Sequence, residues 1–279
     1  MNHETLFARA AELISQADGL IIGAGAGMGV DSGLPDFRGP KGFWGVYPAL
    51  SEARMRFQDI ANPTAFVEHP RLAWGFYGHR LAMYREVEPG PAFRILFEIA
   101  KRLRFGAFAY TSNVDGHFQK AGFNPNCVVE CHGSIHHLQC LDGCMNDIWE
   151  AKDFVPEVDA ERCQLLNEMP TCQWCGGIAR PNIMMFGDLD WLGGRATLQQ
   201  QRFAEWRAKV ACPVVIEIGA GMAIPTVRFF SERQKCPLIR INPNEDEVPN
   251  AGDVGLPLGG TEGMQRIAAA LLERGFLKS

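Results

Sequence analysis

The feature that most narrows the folds open to this chain is a short apolar run that ends in glycines, "GLIIGAGAGMG" at 19–29. Ahead of it Leu6, Ala10, Leu13, Ile14 and Ala17 recur at helical spacing, so a helix leads into a buried strand and then into a turn. Comparable apolar runs follow at 106–113, 127–133, 213–219 and 237–242. Between them lie helix-like segments such as 92–104, 195–209 and 261–274. Strands alternating with helices predict an α/β fold with a doubly wound parallel sheet. Two stretches break that rhythm: 40–90, rich in aromatics with an amphipathic segment near 71–86, and 134–185, which carries two pairs of cysteines. We expect the sheet domain to comprise 1–39, 91–133 and 186–279. A helical insertion at 40–90 and a zinc-ribbon module at 134–185 would together form a smaller domain. A length of 279 residues accommodates both.

Charge and leader signals exclude several classes. The net charge of −5 is spread along the chain without long single-sign blocks, which speaks against a nucleic-acid or anionic-membrane partner. Glu4, Arg9 and Glu12 interrupt the stretch where a secretory leader would be apolar. No run of eighteen apolar residues exists. The expectation is a soluble cytoplasmic protein, and nothing in the sequence sets its oligomeric state. Nine cysteines in such a chain read as thiols or metal ligands before disulfides.

Three constellations carry chemistry. Gly23, Gly25, Gly27 and Gly29 follow an apolar strand, and such a turn lets backbone N–H groups approach a pyrophosphate, although a ligand-free tight turn has the same spacing. Gly33 and Pro35 then stop any helix, so a loop bearing Asp36, Phe37 and Arg38 must cover whatever binds. Cys140 and Cys144, with Cys172 and Cys175, form two close pairs at a distance. That spacing suits a tetrahedral zinc ion, and four thiolates leave no open position, so the metal is structural. The module around them carries Asp142, Asp147, Glu150, Asp153, Glu157, Asp159 and Glu161 against Lys152 and Arg162, a balance that repels phosphates. Finally Ser112, Asn113 and Asp115, and separately His132, follow apolar strands. They should sit at the carboxyl ends of the sheet, where open α/β folds bind ligands.

Taken in order, "GAGMGVDSGLPDFRG", "SNVDGHFQKAG", "ECHGS", the paired cysteines, "CGGIARPNIMMFGD" and "INPNE" resemble the sirtuins over nearly the whole chain. The resemblance implies a Rossmann-type NAD-binding domain, a small zinc module and an acyl-lysine channel between them. It implies cofactor contacts from Gly23, Ala24, Gly25, Gly27, Asp36, Phe37, Arg38, Ser112, Asn113, Asp115, Gly219, Ala220 and Asn242. His132 matches the family's catalytic base, and Asn113 and Asp115 line the nicotinamide pocket. Met185, Phe186 and Gly187 fall on the edge that holds the substrate backbone. The implied substrates are acyl-lysine proteins or peptides, and the implied products are nicotinamide, O-acyl-ADP-ribose and free lysine.

Ala61, Tyr77 and Arg80 fall on positions that resemble those of the sirtuin class preferring succinyl- and malonyl-lysine. Tyr77 and Arg80 are three apart and share a helix face, where a guanidinium and a phenol can grip a carboxylate. The alternative at this stage is a surface pair between Arg80 and Glu86 or Glu88. The chain also departs from the family. Ala24 and Gly29 stand where threonine and serine are usual, Ser112 replaces a glutamine, and "GAG" at 219–221 replaces Gly-Thr-Ser. Each change removes a side-chain hydrogen bond worth about 1 kcal/mol. An NAD-consuming ADP-ribosyltransferase or NAD hydrolase, and a non-catalytic NAD or ADP-ribose sensor, therefore stand as alternatives.

Overall fold

The computed structural model describes residues 3–35 and 40–278. Asp36, Phe37 and Arg38 lie outside the described residues. The central sheet contains β1 (Gly19–Ala24), β2 (Ala107–Thr111) and β3 (Val128–Glu130), together with β9 (Pro213–Ile218), β10 (Leu238–Ile241) and β11 (Val254–Leu256). The five remaining strands, β4 (Gly133–Cys140), β5 (Ile148–Glu150), β6 (Val158–Asp159), β7 (Gln164–Leu165) and β8 (Ala179–Ile183), form two small sheets. All pairings in the central sheet are parallel, in the order β11-β10-β9-β1-β2-β3. From β1 the chain winds outward through β2 to β3, then returns to β9 on the other side of β1 and continues to β10 and β11, which is the doubly wound arrangement.

The strands are near-continuous apolar runs because both faces of the sheet are covered. Leu20, Ile22, Ala109, Val214 and Ile216 pack beneath the helices His3–Ser15, Pro91–Ala100 and Gly260–Glu273. Ile21, Val215 and Phe108 point the other way, toward Phe203, Trp206 and Phe230 on the helices Gly194–Arg207 and Thr226–Arg233. Among the elements not foreseen are β11 and the helix Thr226–Arg233. The first is only three residues around Gly255, and the second is short with a buried Arg228 in mid-helix, so neither carries a periodic apolar signal.

A second buried cluster joins the aromatic-rich segment to the small three-stranded sheet β5-β4-β8. Phe43, Tyr47, Phe66, Trp74, Phe76 and Tyr77 pack there with Ile135, Leu138 and Ile183. The helix Pro70–Glu86 starts at a proline, which needs no partner for its missing N–H. It is fastened to β8 by Trp74 Nε1 donating to Ala179 O at 3.0 Å. No described helix is long and apolar enough to cross a membrane.

Candidate active site and zinc module

The turn after β1 meets the turn after β9 where the winding reverses. A Cβ on Gly25 would come within 2.5 Å of Gly219 O, and one on Gly27 within 2.7 Å of Gly219 Cα. Gly219 itself has φ of +61°. Only residues without a side chain let these two turns touch. Gly25 N donates to Ile218 O at 2.9 Å and Gly27 N to Gly219 O at 3.1 Å. Asn113 then locks the next turn to the first, its Nδ2 donating to Gly25 O at 2.9 Å while Thr111 Oγ1 donates to Ala24 O at 3.1 Å.

A cleft opens over these strand ends. Its walls bring together Gly29, Ser112, Asn113, Asp115 and His132 from the sheet side with Ala61, Tyr77, Arg80, Met185 and Phe186 from the other side. Asp115 is buried, its Oδ1 accepting from His117 N at 2.9 Å and its carbonyl bonded to His136 Nε2 at 2.8 Å. Burial raises its pKa above the ordinary carboxylate value. His132 follows β3, and its carbonyl accepts from Met184 N at 2.9 Å. Phe186 N likewise donates to Ala61 O at 2.9 Å. The segment 184–187 therefore straps the sheet domain to the helical segment before Gly187 turns the chain at φ +67°.

Other expected cofactor residues lie within β1 and in the turns after β1, β9 and β10. Gly23 lies within β1, and a Cβ there would approach Ser231 Oγ to 2.7 Å. Ala24 is in the apolar core. Gly25, Gly27 and Gly219 make the turn-on-turn contact described above. Ala220 is buried, its carbonyl accepting from Asn242 Nδ2 at 3.0 Å, and Asn242 Oδ1 accepts from Asn244 N and Glu245 N. Asn242 thus braces the loop after β9 from inside.

The distal wall is built on one stripe of the helix Pro70–Glu86. Tyr77 stacks on Phe66 with ring centroids 5.5 Å apart, and burial pushes its phenol pKa up, so it stays a hydrogen-bond donor at neutral pH. Arg80 is 8% exposed and lies 5.1 Å from the Phe76 ring centroid and 5.4 Å from that of Tyr84. Burial works against its charge, and the surrounding phenols more than offset that, holding its pKa above the ordinary value. The surface-pair alternative does not describe this arginine. Glu88 reaches Lys120 instead, at 2.9 Å. Ala61, 4% exposed, lines the same cleft as Tyr77.

Sequence reasoning missed two supports. Tyr84, on the cleft one turn beyond Arg80, was legible only as an i,i+4 neighbour. Arg180 and Asp188 form an ion pair at 2.7 and 2.8 Å with both side chains wholly enclosed. Asp188 also accepts from Met185 N at 3.3 Å and Asp190 N at 3.2 Å.

The zinc module sits at the far end of β4. Sγ of Cys140, Cys144, Cys172 and Cys175 lie within 4.8 Å of one another, with Cys140–Cys175 at 3.7 Å and Cys144–Cys172 at 3.6 Å. A tetrahedron of thiolates around zinc has edges of about 3.8 Å, so the set fits the ion and closes its shell. His136 is bonded to Asp115 and His137 lies along β4 opposite Glu150. Neither joins the cysteine cluster. Cys172 N donates to Gly177 O at 2.7 Å and Leu141 N to Ile178 O at 3.0 Å, so the ion staples the end of β4 to the start of β8.

The strand order and the polar groups gathered at its reversal define a Rossmann-type nucleotide-binding domain that carries a structural zinc ribbon. Residues 25–225 match the Sir2 family, and the chain belongs to it. An NAD-dependent protein deacylase of Aquifex aeolicus is 26% identical over 256 residues, covering 90% of this chain and 94% of that protein. One of Thermococcus kodakarensis is 33% identical over 183 residues, 66% of this chain and 65% of that one. The NAD-dependent protein deacylase sirtuin-5, mitochondrial, of Canis lupus familiaris is 29% identical over 191 residues, 63% and 58% of the two chains. Among solved structures, a Sir2 homologue in complex with NAD shares the fold at a TM-score of 0.69 and 24% identity, over 99% of this chain and 96% of that one.

Proposed function

We propose that this chain is an NAD-dependent protein-lysine deacylase whose cleft accepts acyl groups ending in a carboxylate, succinyl or malonyl, and yields nicotinamide, O-acyl-ADP-ribose and free lysine. The observation that carries this reading is one cleft bearing both sets of groups. Ser112, Asn113, Asp115 and His132 stand at the strand ends, and Ala61, Tyr77 and Arg80 stand on the opposing wall. Bound NAD supplies the ribose carbon from which nicotinamide leaves. The chain's own groups do the rest. Asp115 and the Asn113 amide present dipoles where positive charge develops on the sugar. The His132 imidazole accepts a hydroxyl proton, a task for which imidazole is suited near neutral pH. Arg80 and Tyr77 orient the acyl carboxylate, and the segment 185–187 borders the peptide backbone, where the main-chain groups not engaged within the fold pair with it and read few side chains.

The test is to incubate the protein and NAD with acetyl-, succinyl- or malonyl-lysine peptide, or with none, and to follow nicotinamide and deacylated peptide together. Release that requires an acyl peptide and is greatest with succinyl or malonyl supports the reading. Release without peptide supports NAD hydrolysis, and no release supports a sensor. Arg80→Met should lower succinyl-lysine kcat/KM by about 30-fold or more, because the acyl carboxylate is then buried without its counter-charge. Equal losses on succinyl- and acetyl-lysine would refute the carboxylate clamp.

A further inference from the structure

We propose that Tyr84 is a positioning residue for acyl selection, holding the Arg80 guanidinium in the orientation that meets a carboxylate in the cleft. The inference rests on the acidic-acyl reading above and adds to it a residue outside the Tyr77/Arg80 pair. Tyr77, Arg80 and Tyr84 succeed one another at i, i+3 and i+7 along the helix Pro70–Glu86, so they form a single stripe, and all three line the cleft. Tyr84 Oη accepts two hydrogen bonds from Arg80, from Nε at 3.0 Å and from Nη2 at 2.6 Å. Both atoms belong to one edge of the planar guanidinium. A fork bonded along one edge is fixed in rotation about its own axis, which sets the direction of its other edge.

The surroundings make this constraint matter. Arg80 lies among the rings of Phe57, Phe76, Tyr77 and Tyr84, at 5.1 to 6.0 Å from their centroids. Ring faces attract a cation but do not choose its rotation. The phenol oxygen of Tyr84 supplies a directional contact, and it is anchored because Tyr84 is itself buried and packed with the aromatic cluster. A preset guanidinium loses less freedom when it takes up a bidentate carboxylate. Acyl chains without a terminal carboxylate gain nothing from that presetting, so the tyrosine acts on selection.

Tyr84→Phe removes the oxygen and keeps the ring. The assay compares kcat/KM for a succinyl-lysine peptide with that for the same peptide whose acyl terminus is capped as a neutral amide, in the wild-type protein, Tyr84→Phe and Arg80→Met. The expected result is a fall of about tenfold in the succinyl-to-amide ratio for Tyr84→Phe, carried by KM more than kcat, and a larger fall for Arg80→Met. A merely structural tyrosine would lower both substrates together and leave the ratio where it was. An unchanged ratio in Tyr84→Phe beside a lowered one in Arg80→Met overturns the role of Tyr84 alone. A wild-type protein with no preference for the charged acyl group, unaltered in Arg80→Met, overturns the acidic-acyl reading and this proposal with it. Should Tyr84→Phe fail to fold, Tyr84→Leu, which also lacks an acceptor, gives the same comparison.

Discussion

The Arg180–Asp188 pair offers the sharpest test of how the peptide edge of the cleft is held. Asp188→Asn keeps size and shape but gives one side-chain position two N–H donors. Asp188 Oδ2 faces Arg180 Nη1 and Met185 N, and Oδ1 faces Arg180 Nη2 and Asp190 N. Whichever way the new amide turns, donor meets donors, and the enclosed guanidinium loses the carboxylate that faces it. Breaking a buried pair in this manner costs about 3–5 kcal/mol. At roughly 2–3 °C per kcal/mol for a chain of this size, the melting temperature should fall by roughly 6–15 °C. Met185 N loses its acceptor in the same stroke, so KM for an acyl peptide should rise. Differential scanning calorimetry gives the first quantity and initial-rate kinetics the second. A melting temperature within about 2 °C of the parent, with KM unchanged, would refute the idea that this pair supports the segment 184–187.

Other expectations concern the site and the metal. Burial raises the pKa of Asp115 in the folded chain, so the folded state holds that proton more tightly than the unfolded state. Stability then declines as pH climbs from the ordinary carboxylate range through the raised value, and the ionised group remains a liability above it. Asp115→Asn should therefore melt higher than the parent at pH 7 while releasing less nicotinamide, with the gap in melting temperature closing near about pH 4; a variant that melts lower at pH 7 contradicts this. His132→Ala should lose about 10²–10⁴-fold in acyl-peptide turnover with its calorimetric transition in place, and full turnover would remove the imidazole from the chemistry. Stripping zinc should unfold the ribbon because ion binding and folding there are one event. Near-ultraviolet circular dichroism around Trp149 and Trp174 reads that loss, and an unaltered spectrum after demonstrated zinc release would count against a structural ion.

Much of the architecture was legible because its causes are local. Strands covered on both faces read as apolar runs, and paired cysteines fix a tetrahedral site by spacing alone. The resemblance singled out Tyr77 and Arg80, and helical spacing put them on one face. What stayed hidden depends on direction and on distant partners. Sequence spacing does not show that the face of β1 at Gly23 is closed by Ser231, opposite the face shared by Ile22 and Ala24. The side chain of Asn242 spans the loop after β9, a bracing role that no local spacing announces. Asp188 and Arg180 are eight residues apart on either side of a turn, and only the folded loop reveals that their side chains meet out of water.

The contact between the turns after β1 and β9 bears on how such chains diverge. Gly25, Gly27 and Gly219 are demanded by backbone meeting backbone, a requirement that persists whether or not a nucleotide ever arrives. A descendant that abandoned catalysis would keep these glycines for as long as it kept its shape. Loss of chemistry in this lineage would show first at His132, while the glycine signature endured as a record of architecture.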